Sequence, residues 1–252
     1  MTTIAARRQF LEDYRRIREA EGRGSADSAY YRALPFHENW QWQMRARTFR
    51  YFVRHILPRP PSDVLDLGAG NCWLSYRLRE MRHRPVALDI FSDPLDGLAA
   101  VRHYPLSFPA IEADFNHLPF PAASFDLAVF NASIHYSADY RKTLTEAKRC
   151  LRPKGRVVIL DSPVYARHEH GERMRSERQA QFQRQYGLRS EALGSIEFFD
   201  RQMLADLARD LRIRWEIHRP WYGWRWHMRP LRARLRGQRP PSRFWILAGR
   251  FE

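Results

Sequence analysis

Asp63-Val64-Leu65-Asp66-Leu67-Gly68-Ala69-Gly70-Asn71-Cys72-Trp73-Leu74-Ser75 is an apolar run that ends in a glycine turn and enters a helical pattern. Val64, Leu65 and Leu67 suit a strand buried on both faces. Gly68 and Gly70, lacking a Cβ, let the backbone turn tightly and approach a ligand closely. Trp73, Leu74, Leu78 and Met81 follow at about helical intervals, which predicts a helix over 71–81. The unit is strand, glycine loop, helix, and by itself it is weak, because glycine turns also follow strands that bind nothing.

The pattern continues outward from this unit. Strands are predicted at Val64–Leu67, Pro85–Ile90, Ala110–Asp114, Phe125–Asn131 and Arg156–Asp161, with helices at Asn71–Met81, Pro94–Val101 and Tyr140–Leu151. Such alternation implies an α/β fold, a mostly parallel sheet with helices on both faces and a ligand at the carboxyl ends of the strands. After Pro163 a polar stretch, His168–Tyr186, reads as a helix, followed by a helix over Glu197–Asp210, a half-exposed strand at Ile213–His218 and a last strand at Phe244–Ala248. Ahead of the unit, 1–21 reads as a polar helix with Phe10, Leu11, Tyr14 and Ile17 on one stripe. A small-residue linker (22–28), an irregular aromatic segment (30–40) and a helix over Gln41–Ile56 follow. The expected organisation is a helical arm or lid over 1–60 and one domain over 61–252, with an insertion at 165–195.

The 252 residues suffice for one sizeable core, and no apolar run reaches the length of a membrane span. Two cysteines, Cys72 and Cys150, make no disulfide framework, and the charged N-terminal segment has no apolar stretch of the secretory kind. The expected location is therefore the cytoplasm. The formal net charge is +15, and all but three of the cationic side chains are arginine. That charge invites a polyanion partner, although a skew toward arginine also arises from base composition alone.

Two acids couple to the glycine loop. Asp89 ends the second strand 23 residues after Asp66, close to the roughly 20 expected between a glycine loop and an acid that accepts hydrogen bonds from a ribose. Asp114, at the end of the third strand, can accept from an adenine amino group while Phe115 lies near the base. Either acid can instead cap a following helix. A dinucleotide is disfavoured, since Trp73 stands where that fingerprint has its third glycine.

Val64-Leu-Asp66-Leu-Gly68-Ala-Gly70, Asp89, Asp114, Leu118-Pro-Phe-Pro-Ala-Ala-Ser-Phe125-Asp126 and Glu146-Ala-Lys-Arg-Cys-Leu151-Arg-Pro153-Lys-Gly155 together resemble the class I S-adenosylmethionine-dependent methyltransferases. The resemblance spans Val64 to Asp161, and its pattern is most similar to the small-molecule subgroup that includes ubiquinone and menaquinone methyltransferases. It implies a Rossmann-like seven-stranded sheet with an antiparallel last strand, S-adenosylmethionine as cofactor and no metal. Gly68 and Gly70 would line the methionine end, with Asp66 ordering that loop and meeting the amino group directly or through water. Asn71, Cys72 and Ile90 would complete the cofactor site, with Asp89 on the ribose, Asp114 and Phe115 at the adenine, and Asn131 facing the sulfonium. Cys72 departs from the family pattern, which has a glycine there.

On the acceptor side, His135 and Tyr136 follow the fourth strand. An unperturbed imidazole suits removal of a proton at neutral pH, and both rings can equally serve to shape the pocket. The motif of amino-methylating nucleic-acid enzymes is absent at Asn131-Ala-Ser133-Ile, and neither cysteine is placed for cytosine chemistry, so a small-molecule acceptor, apolar or aromatic, is favoured. RNA methylation and cofactor binding without catalysis are the alternatives. The Trp- and Arg-rich connection over 219–243 fits peripheral contact with an anionic membrane or lipid. It fits RNA less well, and it also fits tryptophans packed under a loop of solvated arginines. Oligomeric state is left open.

Overall fold

The computed structural model describes residues 4–187 and 194–252. Part of the insertion expected at 165–195 and the first three residues of the arm therefore lie outside the described residues. The arm supplies α1 (Ile4–Ala20), α2 (Ser28–Ala33) and α3 (Trp40–His55). The domain continues with β1 (Asp63–Leu67), α4 (Trp73–Glu80), β2 (Arg84–Asp89), β3 (Ala110–Glu112), β4 (Phe125–Asn131), α5 (Tyr140–Cys150) and β5 (Leu151–Leu160). It ends with α6 (His168–Tyr186), α7 (Arg201–Leu211), β6 (Ile213–His218), α8 (Trp224–His227), α9 (Arg229–Leu235) and β7 (Ile246–Phe251).

The seven strands form one sheet in the order β3-β2-β1-β4-β5-β7-β6. β7 runs antiparallel to both β5 and β6, and the other pairings are parallel. Chain direction across the sheet reverses between β1 and β4, so the loops leaving these two strands diverge and open a crevice above their carboxyl ends. Successive side chains along a strand alternate between faces. Val64, Leu127 and Val129 accordingly enter the core shared with Phe49, Phe52 and Leu74, while Leu65, Ala128 and Phe130 enter the core shared with Leu144 and Phe199.

Several boundaries differ from the sequence expectation for local reasons. The helix expected at Pro94–Val101 is a 3-10 turn over Leu98–His103, because Asp93 Oδ1 accepts from the amides of Leu95 and Asp96 and holds that stretch in a side-chain turn. α4 starts at Trp73, since Cys72 is left-handed (φ 64°). α7 starts at Arg201, because Asp200 caps it through the Met203 amide at 2.8 Å. β5 begins at Leu151, which already pairs with Phe125. β3 stops at Glu112 and β7 begins at Ile246, so Asp114 and Phe244 lie in loops. The aromatic segment expected to be irregular contains α2, and the connection over 219–243 contains α8 and α9.

The arm lies against the domain. Trp42 and Phe49 of α3 meet Trp73 edge-on, and Tyr31 of α2 donates to the Leu95 carbonyl. Arg18 of α1 pairs with Asp96. Trp40 is exposed at the start of that helix.

Candidate active site

A cavity of about 920 Å³ opens at the crevice above β1 and β4. Its floor is the glycine turn. Gly68 (φ 73°) and Gly70 (φ 52°) are left-handed, and the amides of Gly68 and Ala69 both donate to the Leu88 carbonyl, at 2.8 and 3.0 Å. A Cβ on Gly68 would stand 2.3 Å from the Cβ of Ser133, so the turn after β1 and the turn after β4 touch at a glycine.

Asp89 governs the same turn from the end of β2. Its Oδ2 accepts from the Gly70 amide at 2.8 Å and its Oδ1 from the Phe91 amide at 2.9 Å. Burial pushes its pKa up, and these amides oppose the shift by favouring the carboxylate. Asp114 lines the cavity with one oxygen accepting from the Asn116 amide at 2.8 Å, and Phe115 lines it beside Asp114. Asn71, Ile90 and Asn131 line it too.

Three of the expected residues are not in the cavity wall. Asp66 is fully buried beneath the turn, with Oδ2 accepting from the Ser75 hydroxyl at 2.8 Å and Oδ1 without a partner. Burial pushes its pKa up to about 7, the Ser75 bond opposes this, and the charge of Asp89 adds to it. Cys72 is buried, and its thiol is directed to the carbonyls of Gly70 and Leu98 at 3.6 and 3.8 Å. It keeps the left-handed geometry that a glycine adopts readily, at a cost of about 1–2 kcal/mol for a residue with a Cβ. His135 lies behind the wall, with Nδ1 3.3 Å from the Ser162 hydroxyl. Burial lowers its pKa to about 3, and the nearby Arg178 and Arg45 push the same way, so the ring is neutral at neutral pH and a weak base. Tyr136 is the member of that pair that lines the cavity.

The arm contributes walls that the sequence reading did not assign. Phe10, Tyr14 and Arg18 lie at intervals of four residues on α1 and face the cavity. The Tyr14 ring meets Phe91 and Tyr136 edge-on, with centroids at 5.1 and 6.1 Å, and burial pushes its phenol pKa far up. From α3 come Trp42 and Arg45, the guanidinium lying 4.7 Å from the Trp42 ring centre. Burial lowers the Arg45 pKa, Asp161 opposes the shift, and among the described residues Arg45 forms no ion pair. The stripe of Phe10 and Tyr14 was visible in the sequence; that it faced a cavity was not. No short-range signal marks Trp42 or Arg45.

This arrangement suits a nucleoside joined to an amino acid. Acid side chains sit at the ends of two adjacent strands, a glycine turn permits close approach, and Asp66 Oδ1 and Asn131 Oδ1 are buried acceptors with no partner. Residues 65–159 match the family model described as a methyltransferase domain. Over that stretch the chain is similar to a methyltransferase domain.

The chain is 33% identical over 136 residues to a demethylmenaquinone methyltransferase of Thermus thermophilus, covering 52% of this chain and 59% of that one. It is 33% identical over 100 residues to a malonyl-[acyl-carrier protein] O-methyltransferase of Hahella chejuensis, covering 39% of this chain and 36% of that one. The chain thus spans little more than half, or less, of the length of these curated relatives. Among solved structures, 1,6-didemethyltoxoflavin-N1-methyltransferase of Burkholderia thailandensis, with bound 1,6-didemethyltoxoflavin and S-adenosylhomocysteine, superposes with a TM-score of 0.54 at 19% identity. That alignment covers 83% of this chain and 78% of that chain and concerns the fold. Among the described residues no helix is long and apolar enough to cross a membrane.

Proposed function

We propose that the protein is an S-adenosylmethionine-dependent methyltransferase acting on a small molecule with an apolar or aromatic body. The observation that carries this reading is one cavity that joins Gly68, Gly70, Asp89, Asp114 and Asn131 to an aromatic wall from the arm. S-adenosylmethionine, when bound, supplies an electrophilic methyl group. Asp89 would accept from the ribose hydroxyls and Asp114 from the adenine amino group, with Ile90 and Phe115 against the base and the backbone at Asn71 beside the methionine end. Asn131 offers an acceptor to the cofactor's cationic end, and Asp66 orders the glycine turn from beneath. Cys72 holds the turn's shape from beneath, and Arg45 supplies positive charge for a carboxylate.

The chain's own part in the reaction is positioning and exclusion of water, which account for much of the rate of a bimolecular transfer. Residues 1–60 act as a lid, with Phe10, Tyr14 and Trp42 over the acceptor, and 61–252 form the catalytic domain with its insertion at 165–195. Tyr136 faces the acceptor while His135 supports it from behind. His135→Gln is then expected to leave turnover within about threefold with an unchanged pH profile; a loss of about a hundredfold would identify His135 as a base in contact with the reaction. The surface over 219–243 is a contact surface in this reading.

The test is methyl transfer from labelled S-adenosylmethionine into a cell extract, with identification of the product. A labelled small molecule that vanishes with Asp89→Ala supports the reading. Label in RNA would replace it by nucleic-acid methylation, and cofactor binding without product in any extract would replace it by a binding protein.

Asp66 makes the cofactor step pH-dependent. Its pKa of about 7 in the folded protein lies above the ordinary 3.8, so its contribution to stability is fully present below about pH 4 and is lost as pH rises through 7. A cation bound on the turn above it favours ionisation and expels the proton. Calorimetry of S-adenosylhomocysteine binding near pH 6.5, in buffers of different ionisation enthalpy, should show release of a sizeable fraction of one proton, with affinity rising from pH 6 to 8. Asp66→Asn should abolish the release and raise the stability of the ligand-free protein at pH 8.

A further inference from the structure

The segment 219–243 contains eight arginines and no acid. Along it, Tyr222, Trp226, Arg229 and Ala233 point into the protein, at intervals of four, three and four residues. The Tyr222 hydroxyl lies 2.9 Å from that of Thr48 and donates to the Phe244 carbonyl, while Thr48 donates to Asp161 at 2.6 Å. Trp226 packs on Tyr222 and Phe244, Arg229 donates to the Ser242 carbonyl, and Ala233 is buried. The inner face is thereby fixed, and Arg47 of α3 donates to the Tyr222 carbonyl to hold it further.

The opposite face repeats the same interval with different residues. Trp221, Trp224, Met228, Leu231 and Leu235 are all exposed, Trp224 at 74% and Leu235 at 78%. Of eleven large hydrophobic side chains exposed among the described residues, these five occupy fifteen consecutive positions. Arg225, Arg232, Arg234 and Arg236 are exposed around them. Scattered exposed apolar residues need no explanation, whereas a contiguous stripe held rigid by its inner face marks a contact.

The chemistry of the stripe selects its occupant. A second copy of the chain would bring a like-charged, acid-free segment against this one, which repulsion disfavours. Single-stranded RNA takes base stacking on flat rings, yet Met228, Leu231 and Leu235 present no π-face. An apolar stripe ending in tryptophan and flanked by arginine suits the boundary between acyl chains and anionic headgroups, where the side chains enter and the guanidinium groups meet phosphate. We propose that α8 and α9 dock the protein on an anionic lipid bilayer, lying in the plane of its surface without crossing it. This surface is independent of methyl transfer.

Co-sedimentation of the full chain with phosphatidylcholine vesicles, without and with about 30% phosphatidylglycerol, tests it. The anionic vesicles should bind at least about tenfold more tightly. Acyl-brominated lipid should quench tryptophan emission, and Trp221→Ser/Trp224→Ser should remove that quenching. Trp224→Ser/Leu235→Ser should weaken binding at least about tenfold, since each side chain withdraws apolar area from water on insertion. These positions are exposed, and an unchanged circular dichroism spectrum and melting temperature would tie the loss to the surface. Absence of vesicle binding, equal binding by both variants, or binding to transfer RNA with none to vesicles would each overturn the proposal.

Discussion

Asp89→Ala is expected to weaken S-adenosylhomocysteine binding by about a hundredfold or more, measured by calorimetry. The Asp89 carboxylate accepts the backbone amides of Gly70 and Phe91 and lines the cavity, and a carboxylate can accept further bonds there. Hydrogen bonds to a charged group contribute about 1.5–3 kcal/mol each, so two bonds to a ribose diol amount to roughly 3 kcal/mol or more. At about 1.4 kcal/mol per factor of ten, that exceeds a hundredfold. The alanine variant also leaves the Gly70 amide without its acceptor and so loosens the turn that the cofactor rests on. Asp89→Asn separates the two effects, because it keeps one acceptor oxygen and replaces the other by a donor. It should bind with intermediate affinity. Affinity within threefold of wild type for Asp89→Ala would remove the ribose from Asp89's role and with it the proposed cofactor pose.

How much of this was legible in the sequence depends on the range of the interaction. The strand after Asp63 and the glycine turn are local patterns, set by side-chain alternation and by backbone freedom at Gly68 and Gly70, and their reading needed no tertiary information. Spacing extended that reading to Asp89 and Asp114, since parallel strands of similar length end on one side of a sheet. The helix expected at Pro94–Val101 gave way to a side-chain turn at Asp93, where a local hydrogen bond competes with the helix. Trp42 and Arg45 reach the cavity only because α3 packs across Trp73, a contact between residues far apart in the chain. The His135–Tyr136 pair shows the limit most clearly. Adjacent residues in a short 3-10 turn point in different directions, so one ring lines the cavity and its neighbour is buried behind it.

The glycine turn also predicts the largest loss of stability. Gly68→Ala should lower the free energy of unfolding by about 2–5 kcal/mol in a denaturant titration. Two penalties combine. A left-handed backbone (φ 73°) disfavours a residue with a Cβ by about 1–2 kcal/mol. The new methyl carbon would also lie 2.3 Å from Ser133 Cβ, far inside the roughly 3.5–4.0 Å of normal carbon contact, and overpacking of this kind costs about 1–3 kcal/mol. Ser133 cannot yield freely, because its buried hydroxyl donates to the Leu67 carbonyl at the end of β1. The clash therefore couples the two loops that frame the cavity. A second substitution apportions it: Ser133→Gly in the Gly68→Ala background removes the contact and leaves the backbone strain, so about half of the loss should return. The double-mutant cycle should give a coupling of roughly 1–3 kcal/mol. Additive effects, or a single-variant loss below about 1 kcal/mol, would mean that the loops move apart readily, and the close approach of Gly68 to the turn after β4 would then not be what fixes the floor of the site.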